Sequence, residues 1–375
     1  MKRLLIAAIA SLVAFSALPA AGADLVDQGP TAGGLASDNV EFVRTVPIAT
    51  DAVGGRLIGK YFYANDQNKV MIFDTSDPLD PQLTGYVLMP QELIFSREDL
   101  DGNGSILIVP NLGSFHIVDV EDKTNPQIVA TLDGVGEHTM SCVLDCSFAY
   151  GSEGAIVDLR DPSKPKLVGD WGEGMPASSG HDVTEVAPGL VLTSTQPIMY
   201  LDARKDPTKP KLLALGPSAD SRFIHTGRWA RGGNDKFLLM GGETNFKPRC
   251  NESNGAFMTW DASRWKTTKT FTMIDEYRVT NGTYADGKPA ANAVGCSSHW
   301  HEAHPSFNNG GLVAAAFFEH GTRFIDVSSK GKIEEIGWFV PARGSTGAVY
   351  WRTPRILYAM NYLGGIDVLK FTGEI

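Results

Sequence analysis

What the sequence lacks narrows its function first. After the apolar run near the N-terminus, no second segment is long enough to cross a bilayer, so no transmembrane segment is expected in the mature chain. Basic residues are in deficit: setting aside Lys2 and Arg3 leaves 31 Lys and Arg against 43 Asp and Glu, a formal charge of −12. That balance leaves no basic stripe to attract nucleic acid or an anionic membrane. There is no G-x-S-x-G elbow, no phosphate loop and no dinucleotide fingerprint. Cysteine is scarce, with only Cys142, Cys146, Cys250 and Cys296.

Residues 1–23, MKRLLIAAIASLVAFSALPAAGA, join a basic start at Lys2 and Arg3 to an apolar run and end in small residues at Ala21 and Ala23. This is the layout of a secretory signal peptide cleaved before Asp24, which places the protein in the periplasm or outside the cell. The alternative is an uncleaved anchor, for which the run is short and lacks a stop-transfer flank. In an oxidising compartment an even number of cysteines favours disulfides. Cys142 and Cys146 flank one hairpin, and Cys250 with Cys296 would tie two long loops together. A Cys-x3-Cys metal site is the competing reading. Residues 24–38, rich in Gly, Ala, Pro and Ser and without periodicity, read as a flexible tether, and residues 39–375 as one domain.

The stretch from Gly136 to Gly169 has the grammar of a four-stranded unit: a Gly and a His, two short strands about a tight Asp-Cys turn, an apolar strand ending in Asp158, a Pro-rich turn and a last strand. The apolar run capped by Asp recurs at Asp74, Asp119, Asp158, Asp202, Asp261, Asp326 and Asp367, with separations of 45, 39, 44, 59, 65 and 41 residues. Units of this size cannot bury their own apolar faces and close into a ring. The expected fold is all-β, a seven-bladed β-propeller. The seventh unit ends soon after its third strand, so Asn39 to Ile48 is expected to supply its missing outer strand and close the ring. The recurring Asp has a local reason, since a carboxylate at a strand end accepts hydrogen bonds from turn amides.

The segments VMIFDTSDPLDPQLTG, FHIVDVEDKTNPQIVA, AIVDLRDPSKPKLVG and IMYLDARKDPTKPKLLA resemble the LVIVD repeat of exported propeller proteins. The resemblance is clear in the first four units and weaker in the last three. It implies the propeller fold; the family has no single function, so it implies no activity.

Histidine placement points to the site. When units are aligned on their second-strand ends, His138 lies fifteen residues before Glu153, His181 fifteen before Gln196 and His304 fifteen before Glu319. His225 lies eighteen before Glu243, behind the longer hairpin RWARGGNDK. In a propeller these positions converge on one mouth of the central channel. His138, His181, His225 and His304 are therefore the candidate metal ligands, with Glu153, Glu243 and His301 as supporting groups and Glu319, His320 and Glu302 as candidate catalytic acids and bases. In the segment CSSHWHEAHP, register favours His304; His299 and His301 are substitutes, and Trp300 is a pocket wall. The matching positions of the remaining blades fall near Asp51, Glu92 or Leu93, and Thr346, so the metal is expected off the axis with three or four ligands. Imidazole suits copper or iron first, with zinc also possible. The blander alternative is that these histidines arose by repeat duplication and hydrogen-bond a neighbouring blade.

The insertions Thr244 to Gly255 and Val279 to Gly295 lengthen loops over the same face and suit a lid or a partner surface. The leading expectation is an exported metal-dependent oxidoreductase, copper or iron, acting on a small molecule. The alternative is a non-enzymatic propeller that binds a protein, glycan or cell-surface partner; metal storage is a third.

Overall fold

The computed structural model describes residues 33–49, 51–90, 97–217, 222–244, 250, 253–279 and 295–375. The leader expected at residues 1–23, residues 24–32 and most of both loop insertions lie outside the described residues. Seven small antiparallel sheets stand around a central axis. The first blade is Gly54–Ile58, Tyr61–Asn65, Lys69–Asp74 and Gln82–Leu88, from the channel outwards, and the third is Met140–Val143, Phe148–Gly151, Ala155–Asp158 and Lys166–Asp170. Innermost strands of the second, fourth, fifth, sixth and seventh blades are Asp101–Gly102, Asp182–Ala187, Ile224–Arg228, His301–Ala303 and Thr346–Trp351. Second and third strands are apolar and buried on both faces, as a strand sandwiched between neighbouring blades must be. Phe62, Met71 and Phe73 of the first blade, for example, pack against Tyr350, Tyr358 and Met360 of the seventh.

The repeat aspartates do what their position demands. Asp74, Asp119, Asp158, Asp202 and Asp261 each end a third strand, and each accepts the backbone N–H two residues on, at 2.8–3.0 Å. Asp367 is different. It lies inside the strand Gly365–Phe371, where Thr45 Oγ1 (2.6 Å) and Asn361 Nδ2 (3.0 Å) donate to its buried carboxylate. The matching apolar-Asp pattern in this blade is therefore offset from the true strand end at Phe371.

The ring closes as the sequence implies. Val40–Val46 pairs antiparallel with Gly365–Phe371, from Val40 opposite Phe371 to Val46 opposite Ile366. The tether reading fails over its last part: Gly34–Ala36 is a strand that adds a fifth member to the sixth blade, beside Ile333–Pro341. Its side chains are mostly exposed and its only demand is a free sheet edge, so apolar periodicity could not reveal it. Among the described residues, no helix is long and apolar enough to cross a membrane.

Both cysteine pairs are disulfides, Cys142–Cys146 and Cys250–Cys296. The first spans the hairpin of the third blade; the second joins the loop after the second strand of the fifth blade to the entry of the sixth.

Candidate metal centre

Entries to the innermost strands and the loops from second to third strands open on one face, and the site lies there at the mouth of the channel. Four imidazoles converge, from four successive blades. His138 precedes the inner strand of the third blade, His181 that of the fourth, His225 sits at a bulge in that of the fifth, and His299 precedes that of the sixth. Neighbouring rings are 4.8 Å (His138 to His181), 3.7 Å (His181 to His225) and 4.0 Å (His225 to His299) apart between centroids.

Each Nε2 faces the carboxylate of Glu98, at the entry to the second blade. Oε1 meets His225 at 3.1 Å and the indole Nε1 of Trp300 at 3.3 Å, and is also in contact with His299. Oε2 meets His181 at 3.2 Å and contacts His138. Donor atoms of Glu98, His181 and His225 all lie within 4.8 Å of one another, as do those of His225, Glu243 and His299. Five blades, from the second to the sixth, thus supply a set of four imidazoles and one carboxylate. Val53, Phe318 and Tyr362 close the remaining sector with apolar surface, and Phe318 lies 4.5 Å from the His299 ring.

The electrostatics follow from burial. Desolvation alone would push the Glu98 carboxyl up, but His299, His225, His181 and His138 together outweigh it and hold it well below the usual range. Burial pulls His225 well below its ordinary value, aided by repulsion from His181 and His299. For His138 and His299 burial acts in the same sense, but the adjacent Glu98 carboxylate wins and raises both.

One contact tests whether a cation fits. His299 Nδ1 is 2.7 Å from the backbone oxygen of Gly347. A carbonyl can only accept, so Nδ1 carries a proton, and in the neutral ring Nε2 then presents a lone pair to a carboxylate oxygen. Two lone pairs cannot face each other in a buried site without a proton or a cation between them. The contact is therefore met by a proton on Nε2 or, with that nitrogen as a lone pair, by a metal ion.

The candidate ligands from the sequence divide accordingly. His138, His181 and His225 come together; His304 does not. Its Nε2–H donates to the Pro354 carbonyl (2.9 Å), Nδ1 accepts from Ser306 (2.7 Å to Oγ), and the ring packs edge-on against Trp351. The fifteen-residue count assumed a hairpin of constant length. In the third blade Val143 pairs with Phe148 across four intervening residues, whereas in the sixth Ala303 pairs with Val313 across nine, so the ring that meets the other three lies upstream at His299.

His301 is also elsewhere, donating Nε2–H to the Leu239 carbonyl at 3.1 Å, with burial lowering it to about 3. Glu302 faces the seventh blade and accepts the Trp351 N–H at 3.0 Å. Glu243 lies 4.0 Å from His299. Glu319 is buried and accepts the Gly295 N–H at 3.0 Å, while His320 faces the Cys250–Cys296 bridge instead of the four rings. Glu153 is exposed at the rim, its N–H donating to Glu137. The sequence counted donors from four blades, the third to the sixth; Glu98 adds the second, so five blades contribute.

Glu98 was not anticipated, because the second blade was matched near Glu92. A signal existed: Glu98 stands 21 residues before Asp119, just as His181 stands 21 before Asp202 and His138 stands 20 before Asp158. Counting back from the strand-end aspartate, which has a fixed structural role, would have found it.

Comparison with known proteins bears on the scaffold. Residues 54–88 match the family model of the LVIVD repeat, and this interval is the first blade from its innermost strand to the end of its outermost. The first blade is an LVIVD repeat. No curated protein matches the chain.

Proposed function

We propose that the protein is an exported, metal-dependent oxidoreductase acting on a small molecule, with a copper or iron ion held by His138, His181, His225 and His299 around Glu98. The observation that carries the reading is the His299 contact, in which a ring whose Nδ1–H donates to the Gly347 carbonyl turns Nε2 toward a buried carboxylate. Imidazole nitrogens suit copper, iron and zinc, and a bound copper or iron ion would supply one-electron chemistry. The chain's own groups would do the rest. Glu98 balances charge at the centre, and Glu243, whose carboxyl burial pushes up, stands beside His299 as a proton-carrying group at the mouth. Phe223, half-exposed and edge-on to His181 at 5.7 Å, offers apolar surface to an incoming molecule. Two disulfides support export.

The test is metal content, by mass spectrometry, of protein exported and purified without chelator, beside a His138→Ala, His225→Ala double variant of matched thermal stability. About one metal ion per chain, lost in the variant, and a paramagnetic resonance signal are expected. A protein that takes up no copper, iron or zinc would overturn the reading; one that holds only zinc would overturn its redox part.

A second reading rests on a different observation. Leu112 and Leu363, on loops of the same face, are 58% and 53% exposed, which suits a non-enzymatic binding module for a protein, glycan or cell-surface partner. That reading expects partner binding to survive replacement of the histidines.

A further inference from the structure

A second group of metal-ligating atoms lies outside the four-imidazole centre. The sulfurs of Cys250 and Cys296 and a ring nitrogen of His320 are all within 4.8 Å of one another. Cys296 and His320 are buried, and Cys250 is partly accessible. Among the described residues, the other disulfide, Cys142–Cys146, has no such third donor beside it.

The backbone around this group is held independently of the sulfur–sulfur bond. Glu319, the neighbour of His320, accepts the N–H of Gly295, the neighbour of Cys296, at 3.0 Å. Ser297 Oγ accepts the Thr244 N–H at 2.8 Å, and the Ser298 N–H donates to Gly255 at 2.9 Å. Cutting the disulfide therefore leaves the Cys296 side of the site in place. Two thiolates on one tetrahedral ion stand roughly 3.7 Å apart, a separation that side-chain rotation at Cys250 can reach.

We infer that Cys250, Cys296 and His320 form a second, redox-gated metal site, closed as the disulfide and opened by reduction to take a thiophilic ion such as zinc or cuprous copper. In the opening step a dithiol attacks the Cys250–Cys296 bond. That bond breaks, two electrons pass to the protein sulfurs, and the dithiol leaves as its own disulfide while its two protons convert the protein sulfurs to thiols. Metal entry then releases one proton from each thiol as the two sulfurs and the His320 nitrogen become ligands. Thiolate donors select zinc and cuprous copper over hard cations, and a set of two thiolates and one imidazole leaves one coordination position open. The inference does not depend on the four-imidazole centre, since its ligands are different residues.

The test uses the full mature chain carrying Cys142→Ser and Cys146→Ser, so that only one disulfide is reducible. Oxidised protein and protein reduced with a phosphine, then freed of reductant without air, are dialysed against zinc or cobalt and assayed for metal per chain. Reduction should add about one ion, and the cobalt form should gain a sulfur-to-cobalt charge-transfer band that the imidazole centre cannot give. His320→Ala removes a ligand and should weaken the added ion by more than about 100-fold, above the cost of losing a ligand's supporting hydrogen bond, and Cys250→Ser should abolish the band. A His138→Ala, His225→Ala background should leave the added ion unchanged. If reduction unfolds the chain, zinc should restore its circular dichroism. The inference is overturned if reduced protein binds no more metal than oxidised, if the added ion is indifferent to His320→Ala, or if a reduced, unfolded chain does not recover with zinc.

Discussion

Replacing His299 and His304 separately sets the sequence register against the tertiary arrangement. His299→Ala removes a ring that donates to Gly347, packs against Phe318 and faces Glu98, so it deletes one of the four imidazoles proposed to hold the metal. Loss of a hydrogen bond supporting a metal-bound ring typically costs about 10- to 100-fold in affinity, and loss of the ring itself should exceed that. His304→Ala leaves the Pro354 carbonyl and Ser306 without their partner. Two net hydrogen bonds at about 0.5–1.5 kcal/mol each put its stability loss at about 1–3 kcal/mol. The assay is metal per chain after dialysis against a fixed free-metal concentration, beside urea unfolding of the metal-free proteins. His299→Ala should lose its metal, and His304→Ala should keep it while unfolding at lower urea. If His304→Ala loses the metal at unchanged fold, the assignment of His299 as the sixth blade's ligand is wrong.

Three further outcomes can be checked. Gly347→Ala would place a Cβ 2.2 Å from the Tyr362 ring, pushing aside the carbonyl that orients His299, so metal affinity should fall at least about 10-fold in a dialysis titration while the fold persists. Truncation to begin at Asn39 should be mild, whereas truncation to begin at Pro47 removes Val40 and Val46 from burial, at roughly 1.5–3 kcal/mol each, and opens the ring; equal melting temperatures for the two would contradict the closure. Burial pushes Asp367 up from its ordinary value of 3.8 to about 6. The folded state then binds more protons than the unfolded state between those values, so this group's contribution falls as pH rises through that window, by about 3 kcal/mol at most. Asp367→Asn should consequently gain on the wild type as pH is raised from about 4 to about 7 in urea titrations; a difference independent of pH would refute the assignment.

The scaffold was legible because its signals are local. An apolar strand capped by Asp and followed by a Pro-rich turn specifies its own hydrogen bonds within a few residues, so counting such segments gave seven blades and the strand that closes them. Asp367 shows the limit: the letters matched, but the carboxylate serves the closing seam instead of a turn. Spacing and loop placement suggested Cys142–Cys146 and Cys250–Cys296 beside a Cys-x3-Cys metal site, and the fold shows both pairs as disulfides. His138, His181 and His225 were found because their blades keep a regular grammar, or a visibly lengthened hairpin.

The chain by itself determined the repeat, the ring closure, the candidate cysteine pairs and three of the four converging imidazoles. Tertiary structure decided Glu98 and His299. A ligand's position depends on how many residues its blade spends in the hairpin below, and the sixth blade spends five more than the third between paired ends. Glu98 is chemically unlike the histidines whose repeat position it shares, so a search for recurring imidazoles passes over it. Only when five blades stand around one axis do that carboxylate and four rings meet, because residues up to 202 positions apart in sequence are brought within 3.3 Å by the ring and by nothing local.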